Sequence, residues 1–419
     1  MGRIARDGPF GLHLNGMTVL RPTTLLTGST GFLGQYVLRE LLSRGRRVAA
    51  LLRAPLAESR VRLAGSLRHL GLDIDEAVAA GLLILCEGSL PDDLPECEWG
   101  PTDDVVACAA SLQLFSNGNG EPWRTNVVGT EELLNWARRH HVQRVHAVST
   151  AYVCGSHHHE IREVFHERPE WFQTEYEETK WLAERRLAEW AEGNGNVATI
   201  LRPSFIIGDS QTGYATQFGG FYQFGRMLEI LKSEYADGSN GDGTYIPLRM
   251  PVRPGDPIQN LVPVDYAARM IAEIALNPKH HGKIYHLTDP QPPSWQEFKL
   301  VLEAYFNIYG GTFVDREDFS DQMTQAESLM WEQYELMMPR VRHQPRFDDS
   351  NARGIRESIG LEFPRSTKER VFRLLDFAVA QRWGQRSNGR GAKSARRAPD
   401  EQSVSTADAG RDGARRGPA

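Results

Sequence analysis

The sequence predicts an α/β fold, a doubly wound parallel sheet followed by a smaller, mostly helical C-terminal lobe. Three observations lead there. Between residue 23 and about residue 290, short apolar runs alternate with amphipathic segments of helical length, as expected of strands buried on both faces and joined by crossover helices. The first apolar run breaks at Gly28 and leads into a helical pattern at Phe32. After Pro290 the strand rhythm stops while helical periodicity continues.

The elements follow in order. Strands are expected at residues 24–27, 48–52, 82–86, 105–109, 145–150 and 198–202, all short apolar runs of strand length. Helices are expected at residues 32–43, 126–140 and 177–191, the last stopped by Gly193-Asn194-Gly195. Beyond Pro290, residues 294–308, 325–338 and 368–382 read as helices. The resulting division is an N-terminal extension (1–22), a sheet domain (23–290), a capping lobe (291–384) and a tail (385–419). The tail is Arg, Gly, Ser and Ala with almost nothing to bury, so it reads as disordered.

Composition narrows the class. Of 419 residues, about 46 to 47% are apolar once Gly is counted and Tyr is left out, which excludes a wholly disordered or fibrous chain. No run approaches the ~18 apolar residues of a membrane-spanning helix, and residues 1–17 lack an apolar signal core, so a soluble protein is expected. Met17 offers an alternative start. The net charge is −6, but the tail holds eight basic and four acidic residues, leaving a body of 40 basic against 50 acidic. Such an acidic body does not suit nucleic acid. Cys86, Cys97, Cys108 and Cys154 form no CxxC pair and sit mostly beside apolar runs, which suggests reduced thiols and a cytoplasmic setting.

Thr27-Gly28-Ser29-Thr30-Gly31-Phe32-Leu33-Gly34 places three glycines at the junction of a strand and a helix. That arrangement permits a tight turn, close approach of backbone N–H groups to a pyrophosphate, and a positive helix end beneath it. At the end of the second strand, where an NAD site usually carries an acid for the ribose, the chain has Arg53 and no acid between Gly45 and Leu56. A guanidinium suits a 2′-phosphate, which favours NADP(H) over NAD(H). Val148-Ser149-Thr150-Ala151-Tyr152 closes the fifth strand, and Tyr176-Glu177-Glu178-Thr179-Lys180 opens a helix. A spacing of four sets Tyr176 and Lys180 on one helical face. An ammonium there and the positive ring of a bound nicotinamide are together expected to lower the phenol toward neutral pH, while Thr150 or Ser149 bonds the substrate oxygen.

With these residues in view, the chain resembles the extended short-chain dehydrogenase/reductase superfamily over about residues 23–290. The TGSTGFLG turn, Cys108-Ala109-Ala110-Ser111, Asn126-Val127-Val128-Gly129-Thr130, Arg202-Pro203-Ser204 with Gly208, and Leu261-Val262-Pro263-Val264-Asp265-Tyr266 occur in the family's order. The turn, Arg53, the CAAS segment and Gly208-Asp209-Ser210-Gln211-Thr212-Gly213 look most like the fatty acyl-CoA reductase and thioester-reductase (male-sterility type) branch. The resemblance implies a Rossmann sheet and NADPH-dependent reduction of an acyl thioester carried on coenzyme A or a carrier protein. It puts the catalytic hydroxyl on Thr150, with Ser149 as fallback, the acid/base on Tyr176, and the lysine on Lys180. Cofactor contacts then fall on Thr27, Gly28, Thr30, Gly31, Phe32, Leu33, Gly34, Arg53, Ser89, Leu90, Ala109, Ala110, Ser111, Asn126, Tyr176, Lys180, Pro203, Ser204 and Ile206. Asn126 orients a group behind Lys180 or, read without the family, caps a helix. The family commonly has Gly-Asp-Leu after the third strand, where this chain has Gly88-Ser89-Leu90. A homodimer through the helices carrying Asn126 and Tyr176 is compatible with the resemblance.

Aromatic residues after Gly213, among them Phe218, Phe221, Tyr222 and Phe224, suit an acyl or carbonyl substrate better than a sugar, and Phe221 and Tyr222 are the substrate contacts expected beside Thr150. They serve equally as packing between lobes. His157-His158-His159 lacks a second cluster with ligand spacing, so no metal is expected. His140-His141 and His280-His281 read as solvated helix ends, and most of residues 160–178 as a solvated acidic loop. The same motifs leave open a hydroxysteroid or 3-ketoacid reductase, a sugar-nucleotide epimerase or dehydratase, and a dinucleotide sensor without catalysis.

Overall fold

Alternate residues of the central strands are buried on opposite faces, which is why the middles of these strands are largely apolar. In the computed structural model, Leu26, Val48, Ala50, Leu52 and Val106 join one core cluster, while Leu25, Ala49, Leu51, Val105, Val145 and Ala147 join the other. The structure describes residues 11–14, 17–20, 22–157, 160–193, 195–236, 243–315, 319, 322–334 and 344–385. A hairpin of Gly11–Leu14 with Met17–Leu20 precedes the sheet.

The main sheet is built from β1 (Thr23–Thr27), β2 (Arg47–Leu52), β3 (Leu83–Glu87), β4 (Asp104–Ala107), β5 (Arg144–Val148), β6 (Val197–Pro203) and a seventh strand, Ile284–Leu287. All pairs are parallel, and the spatial order is seventh, β6, β5, β4, β1, β2, β3. The order reverses between β1 and β4, so their carboxyl ends diverge and open a crevice, the usual ligand position in such sheets. Helices α1 (Phe32–Ser43), α2 (Leu56–His69) and α3 (Ile74–Ala79) follow the first two strands. Then come α4 (Gly129–Arg139) and α5 (Glu175–Ala191), whose Leu133, Trp136, Leu187 and Trp190 cover one face of the sheet. Next are α6 (Phe221–Tyr235) and α7 (Val264–Leu276), the latter packed against α1 on the other face.

Four corrections follow. The helix expected from residue 126 begins at Gly129, because residues Arg124–Val128 form a wider π-type turn. The chain beyond Pro290 is mostly helical, with α8 (Trp295–Phe306), α9 (Gln325–Tyr334), α10 (Ser350–Ser358) and α11 (Lys368–Ala380). It also contributes a strand, Ile308–Phe313, which pairs in parallel with Thr244–Met250. This part therefore shares a sheet with the chain before it, and residues up to Gly384 form one compact unit. His280 is buried, in a short 3-10 turn after α7. Glu163, in the expected solvated loop, is also buried: its carboxylate accepts backbone N–H bonds from His286 at 2.7 Å and Asn351 at 2.5 Å, tying that loop to α10. His158, His159, Asn194, residues 335–343 and the tail from residue 386 lie outside the described residues.

Candidate active site

The glycine turn closes by contacts only glycine permits. Gly28 lies at φ +72°, and a Cβ there would stand 2.6 Å from the Ala109 nitrogen. The Ala109 N–H instead donates to Thr27 Oγ1 at 3.1 Å, sealing the end of β4 against β1. The Gly31 N–H donates to the Gly28 carbonyl at 2.9 Å, and a Cβ on Gly34 would collide with that same carbonyl. Helix α1 then starts on Gly31 with no side-chain cap and no acid in its first turn. Its free N–H groups and positive dipole end are left for an anion, so the turn fits a dinucleotide pyrophosphate. Thr30 is half-buried beside it.

Arg53 is exposed just past β2, and among the described residues its guanidinium has no acidic partner. Ser89 and Leu90 follow β3, where Ser89 exchanges backbone bonds of 2.6 and 2.8 Å with Asp93. Glu87, at the end of β3, is engaged by the Leu56 N–H at 2.7 Å.

Thr150 caps a 3-10 turn over Ala151–Cys154, its Oγ1 accepting the Tyr152 N–H at 3.3 Å. That bond occupies the oxygen as acceptor and leaves the hydroxyl proton to donate elsewhere. Ser149 Oγ is buried and has no hydrogen-bond partner among the described residues. Thr174 caps α5 by accepting the Glu177 N–H, which sets the helical phase carrying Tyr176 and Lys180. Lys180 Nζ donates to the Val148 carbonyl at 2.8 Å, at the end of β5. Glycine turn, Ser149, Thr150, Tyr176 and Lys180 line one cleft of ≈ 520 Å³, together with Pro203, Ser204 and Ile206.

The expected lowering of the Tyr176 phenol is not met in the protein alone. Burial, then the neighbouring Glu177 carboxylate, hold it above its ordinary 10.0. Burial also pushes Lys180 down to about 8, against the Glu184 carboxylate, which favours the ammonium. Desolvation wins for both groups because each is enclosed by the cleft wall. At neutral pH the phenol therefore holds its proton and Lys180 is mostly charged, a pairing suited to proton donation.

The sequence profile of the male sterility protein family, an NAD-binding family, matches residues 26–271. The chain belongs to that family. A ketoreductase of Stigmatella aurantiaca acting on a 4-hydroxy-2-methyl-3-oxo-4-farnesyl-3,4-dihydroquinoline-1-oxide is 31% identical over 281 residues, 67% of this chain and 72% of the relative. The nonribosomal peptide synthetase asaC of Aspergillus flavus is 28% identical over 343 residues, covering 75% of this chain. The chain spans only 31% of that synthetase. The terminal R domain from the myxalamid PKS-NRPS biosynthetic pathway superposes with a TM-score of 0.69 at 25% identity, covering 88% of this chain and 93% of the domain. The chain is thus of the extended short-chain dehydrogenase/reductase type, in the thioester reductase-like branch.

One residue is placed differently from expectation within this family site, and another settles between two readings. Asn126 caps no helix and orients a main-chain group: its Oδ1 accepts the Ser111 N–H at 2.8 Å, and its Nδ2 donates to the Ser111 carbonyl at 3.1 Å and to Thr179 Oγ1 at 3.0 Å. It therefore ties the Ala109-Ala110-Ser111 segment to α5. Phe221 lines the cleft, but Tyr222 does not. Adjacent positions on α6 point about 100° apart, and Tyr222 is buried behind Phe221 with its hydroxyl accepting the Gly208 N–H at 2.9 Å.

The sequence missed other parts of the wall: Cys108, Gln217, Gln223 and Gln259, and the rings of Trp295 and Phe298. It also missed a buried support. Arg202 on β6 donates to both carboxylate oxygens of Glu184 at 2.9 and 2.6 Å, one helical turn beyond Lys180. Its Nη1 donates to His286 Nε2 at 3.3 Å, and His286 Nδ1 then donates to the Asp348 carbonyl at 2.7 Å. Burial holds His286 neutral, at about 3. Only the i, i+4 spacing of Lys180 and Glu184 signals this in the sequence. Among the described residues no helix is long and apolar enough to cross a membrane.

Proposed function

We propose that the protein is an NADPH-dependent reductase of an acyl thioester or a related carbonyl. The observation that carries this reading is the convergence of Thr150, Tyr176 and Lys180 with the glycine turn on one wall of a cleft whose other walls are largely aliphatic and aromatic. Such walls suit an acyl group, and the likeness to a synthetase reductase domain supports delivery on coenzyme A or a carrier protein.

NADPH, when bound, supplies the hydride that makes the acyl carbon tetrahedral. The chain's residues do the rest on this reading. Gly28 to Gly34 cradle the pyrophosphate, and Ser89 and Leu90 flank the adenine. Ala109, Ala110 and Ser111, held by Asn126, border the cofactor. Pro203, Ser204 and Ile206 border it across the cleft. Lys180 holds the nicotinamide ribose hydroxyls, Thr150 donates to the developing oxyanion, and Tyr176 supplies the proton, with Ser149 as the second hydroxyl in reach. Breaking the C–S bond then releases aldehyde and thiol, so that one hydride and one proton are consumed per thioester. The likeness to a ketoreductase favours ketone reduction as the second reading, with the same residues in the same roles.

Arg53 is assigned to the 2′-phosphate. Arg53→Ala is expected to raise the KM for NADPH roughly 10- to 100-fold while moving that for NADH little, since a hydrogen bond to a charged group is worth about 1.5–3 kcal/mol. An unchanged ratio of the two KM values would remove Arg53 from the site.

A further inference from the structure

The chain between the end of β4 and the π-type turn at Arg124 forms no strand or helix, yet its middle is fixed. Residues 112–116 read Leu-Gln-Leu-Phe-Ser. Among the described residues, every hydrogen bond that ties them to the rest of the fold ends on the first turn of α5. The Tyr176 N–H donates to the Leu114 carbonyl at 3.2 Å. One Glu175 carboxylate oxygen accepts the Ser116 N–H at 3.1 Å; the other accepts the Ser116 hydroxyl and, at 2.6 Å, the indole N–H of Trp123. Trp123 stands just before the π-type turn, so one carboxylate gathers both ends of the loop.

What the loop presents there is apolar. Leu112 and Leu114 line the cleft together with Thr150, Tyr176 and Lys180. They remain 56% and 41% exposed, so the wall they form has accessible surface that the rest of the chain does not cover. Contact with an apolar chain in the cleft takes such surface out of water. The bond from the Tyr176 N–H to the Leu114 carbonyl sets this wall at the Tyr176 end of the cleft, beside the reacting groups.

We propose that Leu112 and Leu114 receive the part of the acyl chain next to the thioester, and that Glu175 is the positioning residue that holds them there. The proposal rests on the reductase reading above and deepens it, naming an acyl group whose carbons beside the thioester are apolar methylenes. Glu175 itself touches no substrate and moves no proton. One helical turn both carries Tyr176 and anchors the wall, so the acyl chain is aligned with its proton donor. A carboxylate suits the place because all three groups that reach it are donors. Glutamine would turn one acceptor oxygen into an N–H2 facing either the Ser116 N–H or the Trp123 N–H. Thr174 still caps α5 in that variant, so the loop loosens and the helix holds.

The test loads the full chain with NADP+, which has no hydride to give, and titrates it calorimetrically with butyryl- and decanoyl-coenzyme A. Glu175→Gln is expected to raise the ratio of dissociation constants, decanoyl over butyryl, about ten-fold over wild type, the contact of roughly two methylenes. Leu112→Ala with Leu114→Ala removes the wall itself and is expected to raise the ratio at least as far. Adding E175Q to that pair is expected to move the ratio no further, which a merely structural role would not produce. An unchanged ratio in E175Q overturns the proposal. So does a lowered melting temperature with both thioesters weakened alike, or an E175Q effect on the ratio that persists without the two leucines. Turnover with NADPH separates this from the reading beneath it. The expected ratios without NADPH oxidation would keep the wall and remove the reductase assignment, whereas failure of either thioester to bind wild type removes both.

Discussion

Tyr176→Phe is expected to lower turnover about a thousand-fold while leaving the NADPH dissociation constant within about two-fold, in line with the 10²–10⁴ typical of a positioned general acid. The variant removes one oxygen and keeps the ring, so the packing at the start of α5 is retained. Burial and Glu177 keep this phenol protonated at neutral pH, which is the state a reduction needs. The alkoxide formed on the substrate is a strong base, and the protonated phenol of Tyr176 supplies the proton that quenches it. Steady-state turnover and a fluorescence titration with NADPH measure the two quantities separately. Loss of both together would make Tyr176 a structural residue. Retained turnover would move the proton donor elsewhere, with Ser149 the first residue to examine.

Gly34→Ala is expected to weaken NADPH binding at least about a hundred-fold and to lower the melting temperature by several degrees. Alanine ordinarily improves a helix interior by about 1 kcal/mol over glycine, so the sign of the effect is informative. Here the added Cβ meets the Gly28 carbonyl, and backbone cannot swing aside as a flexible side chain would. Gly28 is pinned in turn by the Gly31 N–H and by the Ala109 backbone against its α-carbon. The collision therefore forces α1 away from β1 and spoils the N–H cradle for the pyrophosphate. Gly65→Ala is the control, since nothing lies within 4 Å of its new methyl in α2; it should bind NADPH as wild type does. Equal behaviour of the two variants would contradict the close-approach account of Gly34.

Local signals were legible in the sequence, and signals that depend on the packed fold were not. Six of the seven strands of the main sheet read correctly because burial on both faces leaves a largely apolar run, while Ile284–Leu287, a short edge strand, was not picked out; the glycine turn reads correctly because its three glycines lie within eight residues. The strand Ile308–Phe313 escaped notice because it carries Gly310 and Gly311 and finds its partner some sixty residues upstream. Asn126 was recognised as polar and well placed, but its partners Ser111 and Thr179 come from two other segments. The Tyr176 phenol was expected to become more acidic because the neighbouring ammonium is visible in the spacing, whereas the desolvation that overrides it is a property of the closed wall.

The central claim is that the cleft passes hydride and a proton to an acyl thioester. The most direct measurement incubates the protein with NADPH and a long-chain acyl-CoA, follows NADPH oxidation and free thiol together, and identifies the acyl product. The expected result is thioester-dependent oxidation with one thiol released per aldehyde formed, or per alcohol at twice the NADPH consumed. Firm NADPH binding with no oxidation against acyl-CoA and carrier-bound acyl thioesters, while a matching ketone is reduced, would contradict it.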